Sequence, residues 1–103
     1  MNRCAQAIGD ILPTWYPSLC RPPYGDLSFG FLRYAIKRRL RVILWTKDSL
    51  DYRPHSVDFI YSRLAGVHSE DIILFHDKFS ATCKALNELI PRWKDSGYEF
   101  LKF

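Results

Sequence analysis

Ile72-Ile73-Leu74-Phe75 runs directly into His76-Asp77. Four consecutive apolar residues bounded by polar ones read as a buried strand, of the kind found in a parallel sheet covered on both faces. A second such run, Val42-Ile43-Leu44-Trp45, empties into polar Thr46-Lys47-Asp48-Ser49-Leu50-Asp51-Tyr52. Helical spacing fills the chain around these runs. Phe31, Leu32, Ala35, Ile36 and Leu40 predict an amphipathic helix over Phe29 to Leu40, with Ser28 as its N-cap. Pro54 breaks the chain, and Val57, Ile60, Tyr61 and Leu64 then mark a helix stopped by Gly66. Ser80 opens a long helix with Cys83, Leu86, Leu89, Ile90 and Trp93 on one stripe and Gly97 as its C-terminal cap. Pro91 lies inside it and should kink it, at a cost of about 3 kcal/mol.

The flanks are less regular. Ala5, Ile8 and Leu12 give a weak helix over Arg3 to Leu12, ended by Pro13. Tyr16 to Arg21 is a short extended approach to Pro22-Pro23-Tyr24-Gly25, a rigid turn in which Gly25 permits a positive φ. Tyr98 to Phe103 alternates loosely and reads as a last strand. The resulting order alternates strands with helices. It predicts an α/β fold of βα units with right-handed crossovers and a mostly parallel sheet. A small doubly wound sheet and part of a barrel both fit this order. At 103 residues the chain is expected to be a single domain.

Composition narrows the classes. Hydrophobic content of 48% with 16% aromatics supports a packed core and is not that of a disordered chain. No stretch approaches the roughly 20 apolar residues of a membrane span. The first residues lack a continuous apolar segment, so no export signal is expected and the compartment is left open. The net charge of +4 is concentrated in Lys37-Arg38-Arg39 and Arg41. These cations sit at a predicted helix end, where they complement the dipole. Nucleic-acid binding is the less favoured explanation, because no sequence-specific DNA-binding motif accompanies them. Cys4, Cys20 and Cys83 form no C-x-x-C pair and are expected to be buried free thiols.

In a parallel sheet the carboxyl ends of the strands share one edge, where ligand and catalytic groups gather. Three polar segments follow three strands here: Arg21 to Asp26, Thr46 to Tyr52 and His76 to Lys78. Arg21, Asp48, Asp51, His76 and Asp77 are therefore expected on one rim. A carboxylate beside His76 favours its imidazolium, which suits a general acid. A structural ion-pair network, or a strand-end histidine bonded to Asp77 or to backbone, is the plainer alternative.

These segments carry a family resemblance. Cys20-Arg21-Pro22-Pro23-Tyr24-Gly25 resembles the R-P-P-Y-G segment of the polysaccharide deacetylases, the NodB-homology enzymes of carbohydrate esterase family 4. Leu44 to Tyr52 resembles their W-x-x-D-S-x-D-W segment, and Ile72 to Asp77 their I-I-L-x-H-D segment. Ala85 to Phe100 is similar to the family's last helix and strand. The resemblance covers the C-terminal half of that domain. It implies the second half of a distorted (β/α) barrel that removes acetyl groups from N-acetylated sugars of chitin, peptidoglycan or related polysaccharides. It implies His76 as general acid, Asp51 as the carboxylate that orients it, and Arg21 as partner of the catalytic base. Tyr24 would offer its backbone N–H to the oxyanion. Leu74 would line the pocket for the acetyl methyl, with Trp45 and Tyr52 contacting substrate; Tyr52 stands where the family usually has Trp.

The family's T-F-D-D-G and H-S/T-x-x-H segments, which supply the base and the metal ligands, have no counterpart here. The histidines are His55, His68 and His76, and no two are four apart. No metal is expected to bind this chain alone, whereas the intact family domain implies zinc or a similar divalent ion. The leading reading is the C-terminal portion of a metal-dependent deacetylase, inactive alone: a truncated reading frame, a degenerate remnant, or one piece of a split enzyme whose complementary chain carries the missing half. The alternative is a non-catalytic glycan-binding or protein-interaction module, with Trp15, Tyr16, Tyr24 and Tyr52 as a carbohydrate platform.

Overall fold

A computed structural model of the chain describes residues 2–12, 18–53 and 56–102. Pro13, Trp15, Tyr16, Pro54 and His55, each singled out above, lie outside the described residues. The chain divides into two compact units, Met1–Leu44 and Trp45–Phe103.

The N-terminal unit contains α1 (Asn2–Ile11), β1 (Leu19–Cys20), a 3-10 turn (Pro23–Gly25), α2 (Phe29–Lys37) and β2 (Arg41–Val42). β1 and β2 pair in parallel, with Leu19 opposite Arg41 and Cys20 opposite Val42. Ser28 caps α2 as predicted, its Oγ accepting from the Phe31 N–H at 3.2 Å. α2 stops at Lys37, three residues short of the predicted Leu40. Arg39 turns left-handed (φ 54°). That turn lets the Arg39 N–H reach Ile36 O at 3.0 Å and the Leu40 N–H reach Ala35 O at 2.8 Å. This reverse turn satisfies the last carbonyls and ends the helix. Ala35 is the buried residue of α2, whereas Ile36, assigned to the same apolar stripe by spacing, is 76% exposed.

The C-terminal unit contains β3 (Lys47–Asp48), α3 (Val57–Leu64), β4 (Ile73–Leu74) and α4 (Ser80–Asp95). β3 and β4 are parallel, with Lys47 opposite Ile73 and Asp48 opposite Leu74. α3 packs on α4, and Ile60, Leu64, Ala81, Ala85, Leu89 and Trp93 form the core cluster. The buried face of α4 is thus built on Ala81, Ala85, Leu89 and Trp93. Leu86 and Ile90 of the predicted stripe are only partly buried, and Cys83 is exposed. α4 runs uninterrupted through Pro91 to Asp95. Gly97 (φ 90°) then closes it, with the Gly97 N–H on Lys94 O and the Tyr98 N–H on Trp93 O, both at 3.0 Å.

Three expectations are corrected. The run Val42–Trp45 is not one strand: Arg41–Val42 pairs in the first unit and Lys47–Asp48 in the second. Residues 98–102 are not a strand. They have no ladder partner and pack through side chains, Tyr98 Oη donating to Val67 O at 3.0 Å and Phe100 lying 6.2 Å from the Trp93 ring. The thiols are free but not buried, since Cys4 and Cys83 are exposed and Cys20 is partly so. No helix among the described residues is long and apolar enough to cross a membrane.

Candidate functional site

The loop after β3 folds onto itself. Asp48 Oδ1 accepts from the Leu50 N–H at 2.9 Å, Leu50 is left-handed (φ 51°), and Ser49 Oγ takes the Asp51 N–H at 3.4 Å. Asx- and Ser-type turns of this sort replace strand pairing with side-chain partners. They carry Asp51 into the interior, where it is 1% exposed.

The Asp51 carboxylate meets three donors. Oδ1 lies 2.6 Å from His76 Nδ1. Oδ2 accepts from the His76 backbone N–H at 2.8 Å and from the Thr82 hydroxyl at 2.5 Å. A carboxylate only accepts, so His76 Nδ1 carries a proton toward it. Nε2 is then the exchangeable edge of a ring that stays 40% exposed. The ring is also walled by aromatics: Tyr52 meets it edge-on at 5.3 Å between centroids and Phe79 at 6.5 Å. A partly exposed imidazole with one nitrogen anchored can take or give a proton at the other. The strand-end histidine bonded to Asp77 or to backbone alone is therefore not what forms. Asp77 is exposed.

Burial works to raise the Asp51 pKa, but the hydrogen bonds from Thr82 and from the backbone and ring of His76 outweigh it and hold the carboxyl below its ordinary value. A depressed folded-state value stabilises the fold above the unfolded carboxylate pKa of about 3.9, and that stability is lost as pH falls through the folded value. Thermal unfolding followed by circular dichroism should therefore show a midpoint that drops on acidification below about pH 4. Asp71, held low by the His68 backbone N–H and by Thr46, contributes in the same direction. The informative quantity is thus the difference in slope. Asp51→Asn should flatten the acid limb, and an unchanged limb would show that Asp51 adds nothing to it.

The other candidate residues fall as follows. Leu74 is in β4 and is partly buried, as is Trp45 at the start of the second unit. Arg21 and Tyr24 belong to the N-terminal unit. Arg21 donates from Nε to Ile43 O at 3.0 Å and from Nη2 to Leu44 O at 3.1 Å. The Pro22–Gly25 turn closes with the Gly25 N–H on Pro22 O at 3.1 Å, and Tyr24 itself is left-handed (φ 57°) beside Gly25 (φ 71°). Positive φ was expected only at Gly25.

Two participants escaped sequence reasoning. Ser49 is fully buried under the loop, and Thr82 supplies the shortest contact to Asp51. Thr82 was detectable in principle. It lies three residues before Ala85 on the buried face of α4, a polar residue in an apolar column.

No family model matches the chain. It is 30% identical over 88 residues to the peptidoglycan-N-acetylglucosamine deacetylase PgdA of Listeria monocytogenes, covering 84% of this chain and 18% of that protein. Among solved structures it superposes on the peptidoglycan deacetylase PdaC of Bacillus subtilis with a TM-score of 0.84 and 29% identity, over 96% of this chain and 48% of that one. It also superposes on a family 4 carbohydrate esterase from Streptomyces lividans with a TM-score of 0.80 and 28% identity, over 93% and 50% of the two chains. This chain is a relative of the polysaccharide deacetylases of carbohydrate esterase family 4. The family expected from the three sequence segments is the one found. The match extends over about half of each solved deacetylase chain. No group of three or more His, Cys, Asp or Glu side chains converges among those described.

Proposed function

We propose that the chain is the C-terminal portion of a metal-dependent polysaccharide deacetylase that removes N-acetyl groups from amino-sugar glycans such as chitin or peptidoglycan. In this reading the 103 residues are one partial domain, the second half of the distorted (β/α) barrel. The observation that carries the reading is the buried Asp51 carboxylate holding His76 by Nδ1 while the ring stays 40% exposed. His76 protonates the departing sugar amine from Nε2, and Asp51 orients the ring and steadies its charge. By family resemblance the Tyr24 backbone N–H serves the oxyanion and Leu74 receives the acetyl methyl. Trp45 and Tyr52 contact the sugar, and Arg21 pairs with a catalytic base that these residues do not supply. Base and metal ligands come from a complementary half of the domain.

The isolated chain should then release no acetate from N-acetylglucosamine oligomers, with or without added zinc, cobalt or nickel. Sustained turnover by the purified 103-residue protein would overturn this reading. The fully exposed Tyr24 side chain favours a second one, a non-catalytic glycan-binding module. Retention on insoluble chitin or peptidoglycan that survives His76→Ala would select it.

A further inference from the structure

Two donors on Oδ2 and one on Oδ1 make the Asp51 carboxylate asymmetric. The backbone donor belongs to His76 itself, as does the ring donor, so both ride on the residue being oriented. Thr82 is different. It comes from the first turn of α4, a 16-residue helix whose Ala81, Ala85, Leu89 and Trp93 are locked in the core. The Thr82 N–H is itself tied to Phe79 O at 3.2 Å. Its β-branched side chain has few rotamers, and its hydroxyl is 2.5 Å from Oδ2. A buried threonine with one proton to give, donating to an acceptor-only group, has its direction set. The positive end of the α4 dipole lies on the same side and favours the anion.

We propose that Thr82 is a positioning residue: its hydroxyl pins Oδ2 to the core-anchored start of α4, so that Oδ1 is held facing His76 Nδ1 and the ring keeps Nε2 outward. This rests on the reading of His76 as a proton donor. It adds that the ring's register is set from α4 and not by the Asp51–His76 pair alone. Without the hydroxyl, the carboxylate can turn about its last torsion and share its oxygens between the two His76 donors. The ring then loses its single tautomer.

The test reads the ring and not hydrolysis. Ring 15N and 1H spectra of the isolated chain should show His76 with a proton on Nδ1 that exchanges slowly with water. In Thr82→Val, which keeps the shape and removes the hydroxyl, exchange of that proton should accelerate by about tenfold or more, the lower end for losing a hydrogen bond to a charged group. The Nδ1-protonated population should fall with it. Thr82→Ser should restore both. Unchanged ring signals in a folded Thr82→Val, or in folded Thr82→Ala should the valine variant unfold, overturn the proposal. Loss of fold in both variants overturns it too, in favour of a purely structural hydroxyl. Because nothing here requires acetate release, the proposal and the deacetylase reading fail separately. A responsive ring in an assembly that never deacetylates would remove the reaction and leave the positioning intact.

Discussion

Asp51→Ala is expected to destabilise the C-terminal unit by about 3–5 kcal/mol, the scale of leaving several partly or fully buried donors without their acceptor. Three donors lose their acceptor at once: the Thr82 hydroxyl, the His76 backbone N–H and His76 Nδ1. All three are partly or fully buried, and each buried polar group left unpaired costs about 1–3 kcal/mol. Small domains hold only about 5–15 kcal/mol in total, so this one change takes a large share. Urea unfolding monitored by circular dichroism measures it. An unshifted midpoint would mean that water replaces the carboxylate freely and that the site is not closed. Asp51→Asn should cost less, since it keeps the shape and one carbonyl acceptor. Its amide nitrogen faces at least one donor and cannot bind it.

The second large effect is catalytic. A hybrid in which this chain replaces the matching segment of the Bacillus subtilis deacetylase would join it to a domain of known activity, guided by a superposition covering 96% of the chain. In such a hybrid, His76→Ala should lower kcat for acetate release by about 10²–10⁴, the usual contribution of a positioned general acid. KM should change little, because in the proposed role the ring gives its proton to the leaving amine and not to the bound amide. The partly exposed His76 side chain makes this a milder structural change than Asp51→Ala. A loss below about tenfold would take the proton-donor role away from His76.

How far these features could be read in the sequence depends on the range of the interactions that make them. Helices α2, α3 and α4 follow from local spacing, and the caps at Ser28 and Gly97 act as their chemistry predicts. Which side of α4 is buried depends on what α3 brings to it. Hence spacing alone places Leu89 and Trp93 in the core but puts Cys83 there in place of Ala81 and Ala85. The strands fared worse, because each ladder is two residues long and its extent is set by partners far along the chain. An apolar run such as Val42–Trp45 records burial, not pairing. At the site, the motif order pointed to Asp51 and His76, and the structure brings these two together. Thr82 lies 31 residues from Asp51 and has no motif of its own; its place in the apolar column of α4 marks it as buried, but only the packing of α4 brings it to Asp51.

The left-handed Tyr24 has a consequence for how the R-P-P-Y-G turn is reached. A non-glycine residue at φ 57° carries a penalty of about 1–2 kcal/mol, which the folded loop must offset. Pro22 and Pro23 offset part of it from the other side of the equilibrium. With φ already fixed at two adjacent positions, the unfolded loop samples far fewer shapes and loses less entropy on ordering. The awkward backbone at Tyr24 is therefore tolerated because its neighbours are nearly in place before the chain folds. A loop built in this way would present the Tyr24 peptide group to a visitor with little further rearrangement.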